Sequence, residues 1–373
     1  MKIFTPYRVC PLGAHVDHQH GVVTGFAIDK GVSIEFEPTE DGSIYMTSKN
    51  FPGVIQFHVD DEPEREMDWG DFLRGAVIVL SQKYPLTKGI RGVIEGTLPI
   101  GGLSSSAAVI LTYLNALCRA NEIHLTPQGI IDMAIRIERN YIGVNVGKLD
   151  QSCEVYCKEN CLLVLDTLDD SGRNIPFSKD MPPFEIMIMF SGVERSLAGS
   201  AYNARVDECK SAAYAIKAFS GMDYGKYADT YLRDVPEGVY NAYKDKLPES
   251  FAKRAKHYYS EQQRVEDGVE AWKKGDLVTF GKMMFASGRS SIENYEAGSK
   301  QLTRLQDIIE HVDGIYGGRF SGAGFNGCSM ALIDPAKREQ IVEQVTREYL
   351  EAFPELTGKF SIHICNTANG VEL

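Results

Sequence analysis

The chain has 373 residues, 43% hydrophobic and 24% charged, which is long enough for two domains with cores of their own. A net charge of −12 argues against nucleic acid as a partner, and any acidic ligand would need a local pocket of donors against that field. Met1 to Pro6 lacks a signal-peptide pattern, no apolar run is long enough to span a bilayer, and the eight cysteines are scattered. Reduced thiols in a cytoplasmic protein, with no membrane partner, are therefore expected.

In chain order, residues 20–60 alternate apolar and polar side chains around Gly and Asp turns, as in Val32-Ser33-Ile34-Glu35-Phe36. That pattern predicts an antiparallel meander. Helical periodicity covers 69–84, a strand 90–97, a long apolar helix 105–121 and another helix 127–140. The polar, proline-containing stretch 166–183 is the expected domain boundary, giving one domain over 1–180 and a second over 181–373. The second half opens on a strand at 185–190 and continues as helices to about 313. A strand at 328–333, a helix at 336–352 and a strand at 359–365 follow. Helices on one face of an antiparallel sheet make an α+β domain. Cys153, Cys157 and Cys161 fall four apart, but buried thiols are the better reading, and no His-Glu-x-x-His zinc spacing occurs.

Four segments carry chemistry. Pro99-Ile100-Gly101-Gly102-Leu103-Ser104-Ser105-Ser106-Ala107-Ala108 lies between a strand and an apolar helix. Its glycines let backbone N–H groups approach an anion, and the helix N-terminus adds its positive end. The serine hydroxyls suit capping, phosphate or Mg²⁺. No Gly-Lys-Ser/Thr follows, so it is not a Walker loop. Ile137-Glu138-Arg139-Asn140-Tyr141-Ile142-Gly143 leads to Gly147-Lys148-Leu149-Asp150-Gln151, placing two carboxylates in one frame. Ser321-Gly322-Ala323-Gly324-Phe325-Asn326-Gly327 has a dinucleotide-type glycine spacing, but a strand follows it where that fold needs a helix. The last segment is Arg8-Val9-Cys10-Pro11-Leu12-Gly13-Ala14-His15-Val16-Asp17-His18.

In the same order, these segments resemble the signatures of the GHMP kinase superfamily, and of galactokinases in particular. The resemblance implies a two-domain α+β architecture: an N-terminal ribosomal-S5-domain-2-like domain and a C-terminal ferredoxin-like domain. It implies ATP as co-substrate and Mg²⁺ as cofactor. Asp150 would be the base facing the anomeric hydroxyl of a sugar, with Arg8 as its partner. Gly101, Gly102, Leu103, Ser104, Ser105, Ser106, Gly322 and Gly324 would line the nucleotide, and Ser105 and Glu138 would hold the metal. Asp17, His15 and His18 would bind substrate. So would Tyr202, from the run Arg195-Ser196-Leu197 to Tyr202-Asn203-Ala204-Arg205. Trp69 is read as a core residue rather than an adenine platform.

Galactokinases carry Glu where this chain has Ala14, and that Glu grips the sugar's 6-hydroxyl. A carboxylate there would repel a 6-carboxylate at contact distance. The first loop and the segment from Ala286 to Gly298, which includes Ser291-Ile292-Glu293-Asn294-Tyr295, resemble galacturonokinases, a branch of the family. The expected activity is phosphorylation of D-galacturonate at its anomeric hydroxyl, with a small-molecule sugar acid and ATP as partners. Galactokinase is the alternative enzyme, and a catalytically silent sugar sensor the alternative of another class.

Overall fold

A computed structural model describes residues 1–193 and 198–373, with the side chains of 198–200 also left aside. Arg195, Ser196 and Leu197, at the head of the Tyr202 segment, lie outside the described residues.

The first sheet is organised by one long strand. β1 (Lys2–Val9), β2 (Val22–Thr39), β3 (Ser43–Ser48), β4 (Val54–His58), β5 (Gly89–Gly96), β6 (Cys161–Asp166) and β7 (Gly172–Pro176) run in the order β4-β3-β5-β2-β6-β7, with β1 also on β2. The 18 residues of β2 pair with β6 at one end and β5 at the other. The meander expected over 20–60 is corrected in one respect. β5 inserts between β2 and β3 and runs parallel to β3, so β2 and β3 are not neighbours. Alternation reports which face of a strand is buried, not which strand lies beside it. The parallel β3–β5 pair needs a crossover, supplied by α1 (Asp71–Ser81). The region read as polar linker contains β7, whose half-exposed residues carry no apolar alternation.

α2 (Ser105–Ala120), α3 (Pro127–Arg136) and α4 (Leu149–Tyr156) cover this sheet, with α2 buried almost all round. Trp69 packs against the same core, and its indole N–H donates to the Pro52 carbonyl at 3.1 Å.

The second sheet holds β8 (Glu185–Phe190), β9 (Ile315–Phe320), β10 (Cys328–Ile333) and β11 (Ser361–Cys365) in the antiparallel order β11-β8-β10-β9. That is the strand order of a ferredoxin-like unit. Its first crossover is expanded into α5 (Ala198–Ser220), α6 (Glu237–Tyr243), α7 (Glu249–Lys273), α8 (Leu277–Glu293) and α9 (Lys300–Ile309). The second crossover is α10 (Arg338–Ala352). After β11 the chain returns to the first sheet, where β12 (Thr367–Ala368) pairs with β2. Among the described residues, no helix is long and apolar enough to cross a membrane. Of the three cysteines four apart, Cys153 lies on α4, Cys157 just beyond it and Cys161 on β6, and all are free thiols.

Candidate active site

The site forms where the end of β1, the loop before α2, the first turn of α4 and the turn between β9 and β10 meet. A break in the β1–β2 register between Pro6 and Arg8 re-aims the strand end. Arg8 is 2% exposed. Its Nε donates to Asp150 Oδ1 at 2.7 Å, and Nη2 lies 2.7 Å from the same oxygen. Nη1 donates to the Gly102 carbonyl at 3.1 Å and to Ser321 Oγ at 3.3 Å. Burial works against the guanidinium charge, but attraction to Asp150 outweighs it and raises the pKa. Asp150 keeps 26% of its side chain open on the first turn of α4. One helical turn further, Glu154 is fully buried, and burial together with Asp150 pushes its carboxyl well up.

The two glycine loops touch backbone to backbone. Gly102 has φ +82°, and a Cβ there would lie 2.8 Å from Cys328 Sγ and 2.9 Å from the Ser321 carbonyl. Gly101 faces Gly327, and Gly102 faces Gly322. Ser104 is left-handed at φ 60° and does not cap α2; its buried Oγ has no partner. Leu103 is buried behind it, and its carbonyl is 3.5 Å from the Arg8 N–H. Ser105 opens the helix. Ser106, rather than Ser105, donates to Glu138 Oε1, at 2.8 Å. The other oxygen of Glu138 accepts from Gln151 Nε2. Glu138 sits on a π-helical turn, Ile137–Ile142, of the kind that re-aims side chains at functional sites. One carboxylate beside serine hydroxyls is a hard-oxygen donor set that fits Mg²⁺. Among the described residues, no group of three His, Cys, Asp or Glu gathers to hold a metal.

The loop from Cys10 to His20 lies on the other side of Arg8. Asp17 Oδ2 accepts the Leu149 N–H at 3.3 Å, so the loop abuts the start of α4. Gly147 permits this approach, since a Cβ there would lie 2.0 Å from Asp17 Oδ2. Burial and the nearby Asp150 push the Asp17 carboxyl up to about 6. His15 takes a left-handed φ of 64°, and its Nε2–H donates to the Gly322 carbonyl at 3.0 Å. Its buried Nδ1 has no partner. Burial, with Arg319 and His257, holds this ring's pKa well below the ordinary value. Burial brings His18 down to about 3. Tyr202, near the start of α5, meets His18 edge-on at 6.0 Å; burial, Asp17 and Asp150 keep its phenol protonated. Ala14 is 6% exposed. Gly322 and Gly324 serve the protein's own contacts: Gly322 accepts from His15, and the Gly324 carbonyl accepts the Gly298 N–H at 2.7 Å.

The sequence reading gave no role to the residues that grip this loop from α7 and beyond, although Tyr295 lies in the segment singled out above. His257 Nε2–H donates to the Ala14 carbonyl at 3.0 Å, and its Nδ1 meets Ser290 Oγ at 3.0 Å. Burial lowers His257 to about 4. Glu261 Oε1 accepts the Gly13 N–H at 2.8 Å and Ser287 Oγ–H at 2.6 Å. Burial opposes the Glu261 charge, but Arg264, His257 and Arg319 hold its carboxyl at about 2. Tyr295, fully buried, stacks on His15 with centroids 4.3 Å apart. These side chains sit some 240 to 280 positions from the loop, where single-sequence periodicity carries no signal. Lys148, two residues before Asp150, is paired with Asp170 at 2.6 Å.

A helix-capped glycine loop, an arginine-clamped aspartate and a second glycine loop from a ferredoxin-like sheet match a known kinase architecture. Residues 71–158 match the family model for the GHMP kinases N terminal domain, and residues 269–352 that for the GHMP kinases C terminal domain. The chain belongs to the GHMP kinases and has their two-domain α+β fold. Within that family it is similar to a galacturonokinase of Arabidopsis thaliana, with 40% identity over 100% of this chain and 93% of the relative. A Clostridium perfringens galactokinase is 31% identical over 98% of this chain and 93% of its own. The solved structure of Lactococcus lactis galactokinase complexed with galactose superposes with a TM-score of 0.90 at 27% identity, covering 100% of this chain and 94% of that one.

Proposed function

We propose that this protein is an ATP-dependent sugar-1-kinase acting on D-galacturonate, giving galacturonate 1-phosphate and ADP. The carrying observation is Ala14, a methyl group in a buried loop whose neighbours at the sugar end, His15, His18 and His257, are all held neutral by burial. No carboxylate projects from position 14 to repel a uronate. The similarity to the Arabidopsis galacturonokinase supports the same sugar.

In this reading Asp150 accepts the proton of the anomeric hydroxyl as that oxygen attacks the γ-phosphorus. Arg8 fixes the carboxylate and offsets charge on the group in transfer. Backbone N–H groups of Gly101 to Ser106 receive the phosphates at the start of α2. Gly322 and Gly324 line the nucleotide from the second loop, which Gly322 and Gly327 hold against the first. Bound Mg²⁺ would neutralise phosphate charge, held by Ser105 and Glu138. Asp17 and Tyr202 bind sugar hydroxyls, and His15 and His18 line the 6-position.

One observation favours galactose instead. The unpartnered His15 Nδ1 is a lone pair, which suits a hydroxyl; facing a carboxylate, it must first take up a proton. Asp150 stays paired with Arg8 and keeps 26% of its side chain open to the site, which argues against a silent sensor.

The test is ADP release with galacturonate, glucuronate, galactose and N-acetylgalactosamine. Galacturonate is expected to give the highest kcat/KM. Ala14→Glu should lower kcat/KM for galacturonate by on the order of 10²-fold or more while galactose holds or gains. A wild-type preference for galactose, or a glutamate variant that still prefers galacturonate, overturns the reading.

A further inference from the structure

The hydrogen bonds around His18 have a direction that can be read from the heavy atoms. Gln19 Oε1 accepts the Leu232 N–H at 3.1 Å, so the other end of that amide is its NH₂. This NH₂ also donates to the His18 carbonyl at 3.1 Å, which confirms the assignment. It lies 3.0 Å from His18 Nδ1, which must therefore be the unprotonated nitrogen. The proton of neutral His18 is then on Nε2, and Nε2–H donates to the Tyr295 oxygen at 3.0 Å. Tyr295 is an acceptor in this contact, and its own hydroxyl proton finds no acceptor among the described residues. The side chain is fully buried, so bulk water does not supply one. A buried donor with an unspent proton is costly unless a ligand takes it.

Tyr295 lies among the residues at the sugar end of the site. The Tyr295 ring stacks on His15, the neighbour of Ala14, and lies 5.3 Å from the His257 ring that bonds the Ala14 carbonyl. Burial does most to raise its phenol, and Cys209, Tyr202 and Asp17 are close enough to add to that shift. Arg254 lies 6.0 Å from the ring centroid, but Glu208 and Glu296 already engage its charge.

We propose that Tyr295 is a specificity-determining residue that donates its hydroxyl proton to the carboxylate of the sugar acid, with Gln19 and His18 as positioning residues that keep it a donor. The proposal rests on the uronate reading above. Loss of a glutamate at position 14 removes repulsion; Tyr295 supplies attraction. Selectivity for one ligand over a near isostere commonly needs both.

The experiment separates the two claims. Wild-type protein is first assayed on galacturonate and galactose; a preference for galactose sinks the uronate reading in that arm alone. If galacturonate is preferred, Tyr295→Phe keeps the ring and removes the donor. The galacturonate-to-galactose ratio of kcat/KM should fall by roughly 10- to 100-fold, mostly through KM for galacturonate. Gln19→Glu is the second variant. A carboxylate only accepts, so His18 moves its proton to Nδ1, Nε2 becomes an acceptor, and Tyr295 turns its proton inward. The ratio should fall although Tyr295 is still present. ¹⁵N NMR of His18 should report the neutral Nε2–H tautomer in wild type and protonated Nδ1 in Gln19→Glu. A ratio unmoved by Tyr295→Phe, or a wild-type His18 protonated on Nδ1, overturns the proposal.

Discussion

Around Asp150 the site is organised by charge, and around Ala14 by neutral rings. At the first end a 2%-exposed arginine meets a carboxylate, with two glycine loops and a serine–glutamate contact packed beside them. At the second end three histidines and two tyrosines sit together, each histidine held neutral by burial. Moving charge during phosphoryl transfer calls for fixed countercharge. Choosing between a hydroxyl and a carboxylate calls for counted donors and acceptors, because a neutral site is tuned by which atom carries each proton. On the proposed function, the reacting end should therefore tolerate little change of any kind, while the selecting end should be altered by moving one proton or one methyl group.

The largest effect expected is at the charged end. Asp150→Asn keeps the shape and part of the contact with Arg8 but cannot take the anomeric proton. Turnover should fall by roughly 10²-fold or more, while sugar binding, followed by calorimetry, persists. The thermal midpoint should also drop, because Arg8 is left buried with a neutral amide in place of its counterion. Near-wild-type turnover would mean that charge at this end is structural and the contrast between the two ends is false.

Acid titration should sharpen the contrast. Burial and Asp150 raise Asp17 to about 6, so it is ionised at neutral pH and protonates as pH falls through that value. With a folded-state pKa above its ordinary value, Asp17 favours the folded protein more at low pH and loses that contribution between about 4 and 6. Activity should move the opposite way. kcat/KM for both sugars should decline below about pH 6 as the Asp17 carboxylate is lost, and Asp17→Asn should flatten that limb. His15 acts on the ratio. It is neutral in the free protein, so a docking carboxylate draws a proton onto Nδ1, whereas a hydroxyl does not. Galacturonate should therefore gain on galactose as pH falls, with proton uptake on binding seen in buffers of different ionisation enthalpy. A pH-independent ratio would remove His15 from the selecting end.

The charged end was legible in the sequence because each of its parts is local. Arg8, Gly101 to Ser106, Glu138 and Asp150 sit in short runs whose spacing is set by a turn or one helical step. The selecting end was half legible. Ala14, His15, Asp17 and His18 belong to one loop, but His257, Glu261 and Tyr295 reach it from α7 and the end of α8, and no periodicity links such distant positions. The tautomer of His18 depends on an amide turned by the Leu232 N–H, a fact that exists only in three dimensions. The fold divided similarly. Apolar helices and the strands β2, β5, β8, β10 and β11 were visible, while β1, β6, β7, β9 and the parallel pairing of β3 with β5 were not; polarity hid β7, and non-local pairing hid the neighbour of β3.

The smallest effect concerns Lys148, which stands between the two ends. Its position beside Asp150 suits either a phosphate contact or a structural one. Its ammonium lies 2.6 and 2.7 Å from the two oxygens of Asp170, and Gln128 Nε2 reaches the same carboxylate at 3.2 Å. Both partners keep about a quarter of their side-chain surface open. Water and salt therefore screen the pair, and such pairs contribute about 1 kcal/mol or less. Lys148→Met should lower stability by no more than that and leave KM for ATP within about twofold, since no charge facing the nucleotide is lost. The pair pins the N-terminus of α4 to the turn before β7, so its loss is felt as looseness of that helix end. If KM for ATP instead rises tenfold, Lys148 leaves Asp170 when nucleotide binds. The charged end would then extend one side chain further along the loop than the resting geometry places it.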